Sequence, residues 1–129
     1  MNYKELVEKA YEAMEFAYTP YSNFNVGAAL LTKSGKVYTG CNVEFASLGA
    51  TNCAERTAIF KAVSEGEKEY AAIAVVSSSK DFTYPCGICR QVIVEFGKDI
   101  DIIVAKDYDY EVYKIDDLLP HSFTGIDIK

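Results

Sequence analysis

The sequence has little of several residues on which common protein functions depend. It contains one histidine and no tryptophan among its 129 residues. A catalytic triad or dyad built on histidine therefore has little support, because the only histidine, His121, lies far from the other chemical motifs. No apolar stretch approaches the roughly 20 residues that a membrane-spanning helix needs, and residues 1–14 carry acids where a signal peptide would be apolar. We therefore expect no membrane partner and a cytoplasmic protein.

Basic residues are also in deficit. The chain has 13 Lys and Arg against 19 Asp and Glu, which gives a formal net charge of −6. The basic residues form no cluster along the chain, and an anionic surface repels phosphate backbones. A nucleic-acid partner is not expected.

The pattern of apolar residues predicts an α/β domain. There is no internal repeat, linker or low-complexity tract, so residues 1–129 are predicted to form one domain. Periodicity predicts helices at 3–18, 55–65 and 85–97, a hairpin at 26–31 and 37–43, strands at 71–76, 100–105 and 110–115, and a short capped helix at 116–120. This order indicates a mixed, about five-stranded sheet that is covered by helices on both faces.

The four cysteines point to a metal site. Cys86 and Cys89 are three residues apart at a predicted helix start, so both thiols fall on one face and can bind the same ion. Cys53 is a candidate third ligand. Three protein ligands leave one tetrahedral position for water, which is typical of a catalytic zinc site.

The charge of such a site requires compensation. A zinc ion with three thiolates has a net charge of −1, but helices that begin at Cys53 and Cys86 would each present roughly +0.5 to the ion. Arg56 and Arg90 are available to donate hydrogen bonds to the sulfurs. Glu55 is the natural proton shuttle, because a carboxylate near activated water can accept its proton and pass it to a substrate nitrogen.

The sequence resembles the small, homotetrameric class of cytidine deaminases over nearly its whole length. The segments that carry this resemblance are 18–22 (YTPYS), 24–29 (FNVGAA), 41–44 (CNVE), 53–56 (CAER), 85–91 (PCGICRQ), and the late Leu118-Leu119-Pro120 with Phe123. The resemblance implies a three-layer α/β/α fold and one zinc ion per chain. In that family pattern Cys53, Cys86 and Cys89 hold the zinc and Glu55 moves the protons.

The resemblance also implies a nucleoside-binding pocket. The main chain at Ala54 would contact the base, Asn42 and Glu44 are similar to the family's ribose-binding pair, and Phe24 and Phe123 to its enclosing aromatics. Family members form homotetramers with shared active sites, so Phe123 is expected to serve a neighbour's pocket. The supporting residues around the ligands would be Arg56, Arg90 and Gln91.

Two positions depart from the family pattern. Phe45 stands where the family commonly has Asn, and Leu48 where it commonly has an aromatic residue. Both concern the edge of the pocket and hence the choice of nucleoside. The expected reaction is hydrolysis of cytidine and 2′-deoxycytidine to uridine and deoxyuridine by a zinc-activated water, as in pyrimidine salvage.

Several alternatives stay open on sequence alone. One is a deaminase of another aminopyrimidine nucleoside or analogue, and another is a nucleic-acid editor. Cys86 and Cys89 could form a thioredoxin-like redox pair, although tryptophan is absent. A structural zinc module would use Cys41 as the fourth ligand, but Cys41 is most simply a small buried strand residue. By default, Asn42 would cap a turn, Glu44 would be solvated, and Phe24 and Phe123 would be core aromatics.

Overall fold

The computed structural model describes residues 1–128, which contain one five-stranded sheet. The strands are β1 (Val26–Thr32), β2 (Val37–Cys41), β3 (Tyr70–Ser77), β4 (Asp101–Lys106) and β5 (Asp109–Tyr113), in the spatial order β2-β1-β3-β4-β5. Strands β3 and β4 are parallel and all other neighbours are antiparallel. The predicted mixed sheet is confirmed.

Helices cover both faces of this sheet. They are α1 (Tyr3–Met14), α2 (Ala54–Ser64), α3 (Gly87–Glu95) and α4 (Ile115–Leu118). Successive residues of a strand point to opposite faces, and β1 shows the consequence. Ala28 and Leu30 belong to the core cluster under α2 and α3, whereas Ala29 packs with Leu6 of α1. The three-layer arrangement follows from this division of the core.

Close approach of α2 to β2 depends on a missing side chain. A Cβ atom at Gly40 would lie 2.6 Å from both the Ala54 carbonyl oxygen and the Ala58 nitrogen. Ala54 opens α2, so Gly40 fixes how near the first turn of that helix lies to the sheet.

The structure corrects several predicted boundaries. Helix α3 spans Gly87–Glu95 rather than 85–97, and β5 ends at Tyr113 rather than at residue 115, which belongs to α4 instead. Helix α1 ends at Met14 rather than Tyr18, because the Tyr18 N–H donates to the Asn42 carbonyl at 3.0 Å and its carbonyl accepts from the Glu44 N–H at 2.9 Å. The same backbone pairing of Tyr18 with the segment after β2 ends the regular pairing of β2 at Cys41, two residues before the predicted end at residue 43. Helix α4 begins at Ile115, one residue before the predicted start.

None of the helices within residues 1–128 combines the length and the apolar character needed to cross a membrane.

Candidate active site

Three thiols meet where α2 and α3 begin. Cys53 is the residue before α2 and Cys86 the residue before α3, and both have extended backbone conformations. Their Sγ atoms are 3.7 Å apart, and the three Sγ atoms of Cys53, Cys86 and Cys89 lie within 4.8 Å of one another. Two sulfurs bound at about 2.3 Å to one tetrahedral zinc are about 3.8 Å apart. The donor set and its spacing therefore fit a zinc ion.

Hydrogen bonds within the thiol cluster favour the charged form of one sulfur. The Cys89 thiol donates to Cys53 and lowers the pKa of Cys53 to about 5 in spite of burial. Arg56 adds to this shift, since its Nη2 lies 3.2 Å from Cys53 Sγ. The pKa of Cys89 is raised by the same thiol pair and by burial. A cation that replaces these protons would find one sulfur already poised as a ligand.

Glu55 places a buried carboxyl beside the thiols. Its side chain lies on the first turn of α2 and only 4% of the residue is exposed. Burial raises the pKa of Glu55 to about 7, and the negative charge of Cys53 adds to the effect. A carboxyl group with such a pKa can both accept and donate a proton near neutral pH.

The carboxyl and two of the thiols line one cavity of about 270 Å³. Its wall consists of Phe24, Val26, Asn42, Glu44, Thr51, Asn52, Cys53, Ala54, Glu55, Thr83, Tyr84 and Cys86. A concave site with a few convergent polar groups and a shifted pKa is typical of a small-molecule active site.

Comparison with known proteins agrees with this geometry. A family model described as the cytidine and deoxycytidylate deaminase zinc-binding region matches residues 1–106. The chain belongs to this deaminase family. A curated cytidine deaminase of Halalkalibacterium halodurans is 48% identical over an alignment of 130 positions, which covers 99% of this chain and 98% of that protein.

Solved structures show the same relationship. The deaminase matches the crystal structure of cytidine deaminase from Burkholderia pseudomallei with a TM-score of 0.91 and 50% identity, over 95% of this chain and 100% of that one. A blasticidin-S deaminase of Bacillus cereus is a more distant relative, 31% identical over 93% of this chain and 91% of that protein. These findings support a zinc-dependent deaminase rather than a thioredoxin-like redox pair.

The predicted sugar-binding residues of the deaminase line the cavity, but both also bind main-chain groups. Asn42 Oδ1 accepts from the Val26 N–H at 2.9 Å, and its Nδ2 donates to the Phe24 carbonyl at 2.8 Å. Glu44 accepts hydrogen bonds from residues 21 and 22. Their sugar-binding role stays a prediction, and each has a second role in holding residues 21–26.

The residues predicted to support the ligands behave differently from one another. Arg56 contacts a sulfur, as expected. Arg90 Nε donates to the Pro85 carbonyl at 2.8 Å and its Nη1 to the Leu118 carbonyl at 2.5 Å. Within residues 1–128 these two hydrogen bonds hold the chain just before Cys86 against the end of α4, and a contact of Arg90 with a sulfur stays a prediction.

Phe123 lies outside the cavity wall formed by residues 1–128. It is 56% exposed, and its carbonyl accepts a hydrogen bond from Gln91 Nε2 at 2.9 Å. Gln91 therefore acts on the segment that carries Phe123 rather than on a sulfur. Phe45 and Leu48 are also exposed and absent from this wall.

Sequence reasoning missed five residues of the cavity wall: Val26, Thr51, Asn52, Thr83 and Tyr84. Tyr84 directly precedes the Pro85-Cys86 motif, and this adjacency is a signal that could have identified it. Cys41, considered above as a fourth zinc ligand, lies in a separate groove with Phe16 and Lys61. Within the described residues it is not part of the thiol cluster.

Proposed function

We propose that this protein hydrolyses cytidine and 2′-deoxycytidine to uridine and deoxyuridine and releases ammonia. The observation that carries the proposal is the buried carboxyl of Glu55 in the same cavity as the Cys53 and Cys86 thiols. Its relatives named cytidine deaminases match over almost the whole chain. Such a reaction would serve pyrimidine salvage.

The chemistry divides between the metal and the carboxyl group. A zinc ion held by Cys53, Cys86 and Cys89 would supply a Lewis acid that lowers the pKa of water. Glu55 would accept one proton of the attacking water and pass it to N3 of the base. It would then accept the second proton of that water, from the new hydroxyl on C4, and give it to the departing amine, which leaves as ammonia. Burial of Glu55 supports this role, because a raised pKa makes the protonated form accessible near neutral pH.

The cavity wall supports a division between base and sugar. The backbone of Ala54 lies between Cys53 and Glu55 and would hold the base by hydrogen bonding, while Phe24 would cover its face. Glu44 would accept a sugar hydroxyl. Hydrogen bonds from Ser22 hold the pKa of Glu44 below its ordinary value, so the carboxylate is charged at neutral pH.

We further propose a homotetramer in which Phe123 completes the pocket of another copy. Phe123 is exposed and does not line the cavity of its own chain. Phe60 and Ile88 are more than half exposed, and both line an apolar groove between α2 and α3. Contact between copies would bury these side chains.

Mixing two defective proteins tests the shared site. Phe123→Ala and Glu55→Gln homotetramers would each have low activity, but mixed tetramers would contain sites with Glu55 from one chain and Phe123 from another. Co-refolding the two variants should therefore restore part of the activity. No recovery, or a monomeric mass in light scattering, would contradict the shared pocket.

A cytoplasmic location is part of the proposal. The four cysteines are free thiols in the structure. Three of them must stay reduced to bind zinc, and a reducing compartment maintains that state.

A second candidate substrate is an aminopyrimidine nucleoside analogue such as blasticidin S. Similarity to the blasticidin-S deaminase favours it. We would measure zinc per chain together with ultraviolet assays on cytidine, 2′-deoxycytidine, blasticidin S and a cytosine-bearing oligonucleotide. The proposal expects about one zinc per chain and turnover of the first two. Zinc-loaded protein without cytidine turnover would reject it.

A further inference from the structure

Ser22 connects two parts of the candidate substrate pocket. Its hydroxyl donates a hydrogen bond to Glu44 Oε2, while its backbone N–H donates to Glu44 Oε1 at 3.1 Å. The same hydroxyl oxygen accepts from the Phe24 N–H at 3.1 Å. Glu44 and Phe24 both line the cavity, whereas Ser22 is not among its lining residues.

The hydroxyl of Ser22 has a role that the backbone donors cannot replace. Two main-chain N–H groups, those of Tyr21 and Ser22, hold Glu44 Oε1, each at 3.1 Å. The second oxygen, Oε2, is bound by the Ser22 hydroxyl. This contact fixes the rotation of the carboxylate about its last torsion, which is otherwise broad. A carboxylate oxygen that accepts one hydrogen bond retains a lone pair for another donor.

We propose that Ser22 is a positioning residue, which orients the Glu44 carboxylate toward a sugar hydroxyl of the nucleoside. The inference rests on the proposed function and deepens it. Ser22 itself does not line the cavity that contains the thiols and would receive the base. Its effect would pass through Glu44, so it should appear only with substrates that carry the hydroxyl.

The surrounding loop has other anchors, which makes a purely structural role distinguishable. The Asn23 N–H donates to the Thr19 carbonyl at 3.0 Å, and the Asn25 N–H donates to Ser78 Oγ at 3.1 Å. Asn42 also binds the Phe24 carbonyl. Loss of the Ser22 hydroxyl should therefore leave the loop in place.

The experiment compares kcat/KM for cytidine with kcat/KM for 2′,3′-dideoxycytidine, which lacks the 2′ and 3′ hydroxyls of the sugar. Ser22→Ala should lower the value for cytidine by about 3- to 10-fold, the scale of the net contribution of one ordinary hydrogen bond. The value for the dideoxy substrate should change less than about twofold, because it has no hydroxyl to be positioned. Ser22→Thr keeps a hydroxyl and should retain the wild-type ratio of kcat/KM for cytidine to kcat/KM for the dideoxy substrate.

Two controls isolate the contact. Ser78→Ala removes a hydroxyl that binds the same loop without touching Glu44, and it should leave the ratio of the two substrates unchanged. In a Glu44→Ala background, Ser22→Ala should no longer alter the ratio, because the group it positions is missing. Zinc content and Tm verify that each variant is folded.

Two outcomes would overturn the inference. One is an unchanged ratio in Ser22→Ala, whether both kcat/KM values stay the same or fall by the same factor, and the other is an equal change of the ratio in Ser78→Ala. Failure of the proposed function would look different. In that case the zinc-loaded wild-type protein would deaminate neither substrate.

Discussion

Replacing Gly40 with alanine should weaken the fold and the active site together. The new Cβ would lie 2.6 Å from the Ala54 carbonyl oxygen, whereas ordinary contact begins at 3.4 Å, so the first turn of α2 would have to move by about 0.8 Å. The obstructing atoms belong to the backbone, so no side-chain rotation relieves the contact. Overpacking of this kind costs about 1–3 kcal/mol. We expect Tm to fall by roughly 5–15 °C for a chain of this size.

The same shift would reach the chemistry, because the first turn of α2 carries Glu55 and follows Cys53. Misplacement of a catalytic group by about 1 Å can cost about 100-fold in rate. We therefore expect kcat/KM for cytidine to fall by roughly 10- to 100-fold in the zinc-loaded variant. The matched control is Gly125→Ala, where a Cβ would meet nothing within 4 Å. A Gly40→Ala protein with wild-type Tm and activity would refute the proposed packing constraint.

Three further predictions concern individual side chains. Glu55→Gln should retain zinc and Tm but lose about 10²- to 10⁴-fold in kcat, and near-normal turnover would contradict its role as proton shuttle. Cys89→Ala should lose most of its zinc and at least roughly 5 °C of Tm, because Cys89 is fully buried in the cluster; a metal-replete, stable variant would contradict the ligand set. Partial burial acts to raise the pKa of Asp101, but hydrogen bonds from Lys114 and Tyr3 outweigh it and lower the pKa. This contribution to stability is present above the unfolded pKa of about 3.9 and is lost as pH falls through the lower folded value. The Tm difference between wild type and Asp101→Asn should thus be constant from about pH 5 to 7 and shrink below about pH 4, and a constant difference down to about pH 2 would argue against the effect.

The metal cluster was predictable because its determinants are local. Cys86 and Cys89 are close in sequence, and a helix start brings their thiols to one side. In the structure α2 and α3 begin directly after Cys53 and Cys86, which is the condition for the expected charge compensation by the two helix N-termini. The extended conformation of Cys53 also explains how Glu55, two residues later, reaches the same cavity.

The details that sequence reasoning missed depend on contacts between distant segments. Residues 15–18 continue a helical pattern of apolar residues, yet Tyr18 pairs with the backbone beyond β2. The direction of a long side chain is similarly hidden from the sequence. Arg90 is near the sulfurs in sequence but donates to the carbonyls of Pro85, in the loop before α3, and of Leu118, at the end of α4. Neither partner can be identified from spacing alone.

Because the thiols lie at the starts of two helices that are far apart in the chain, metal binding would also stabilise the protein against unfolding. Cys53 and Cys86 are 33 positions apart in the chain. By the loop-entropy relation that is applied to disulfides, joining residues this far apart removes about 3–4 kcal/mol of chain entropy from the unfolded ensemble. A bound ion would thus act as a removable cross-link. Cells short of zinc would then not only hold less working enzyme but also expose more of it to proteases.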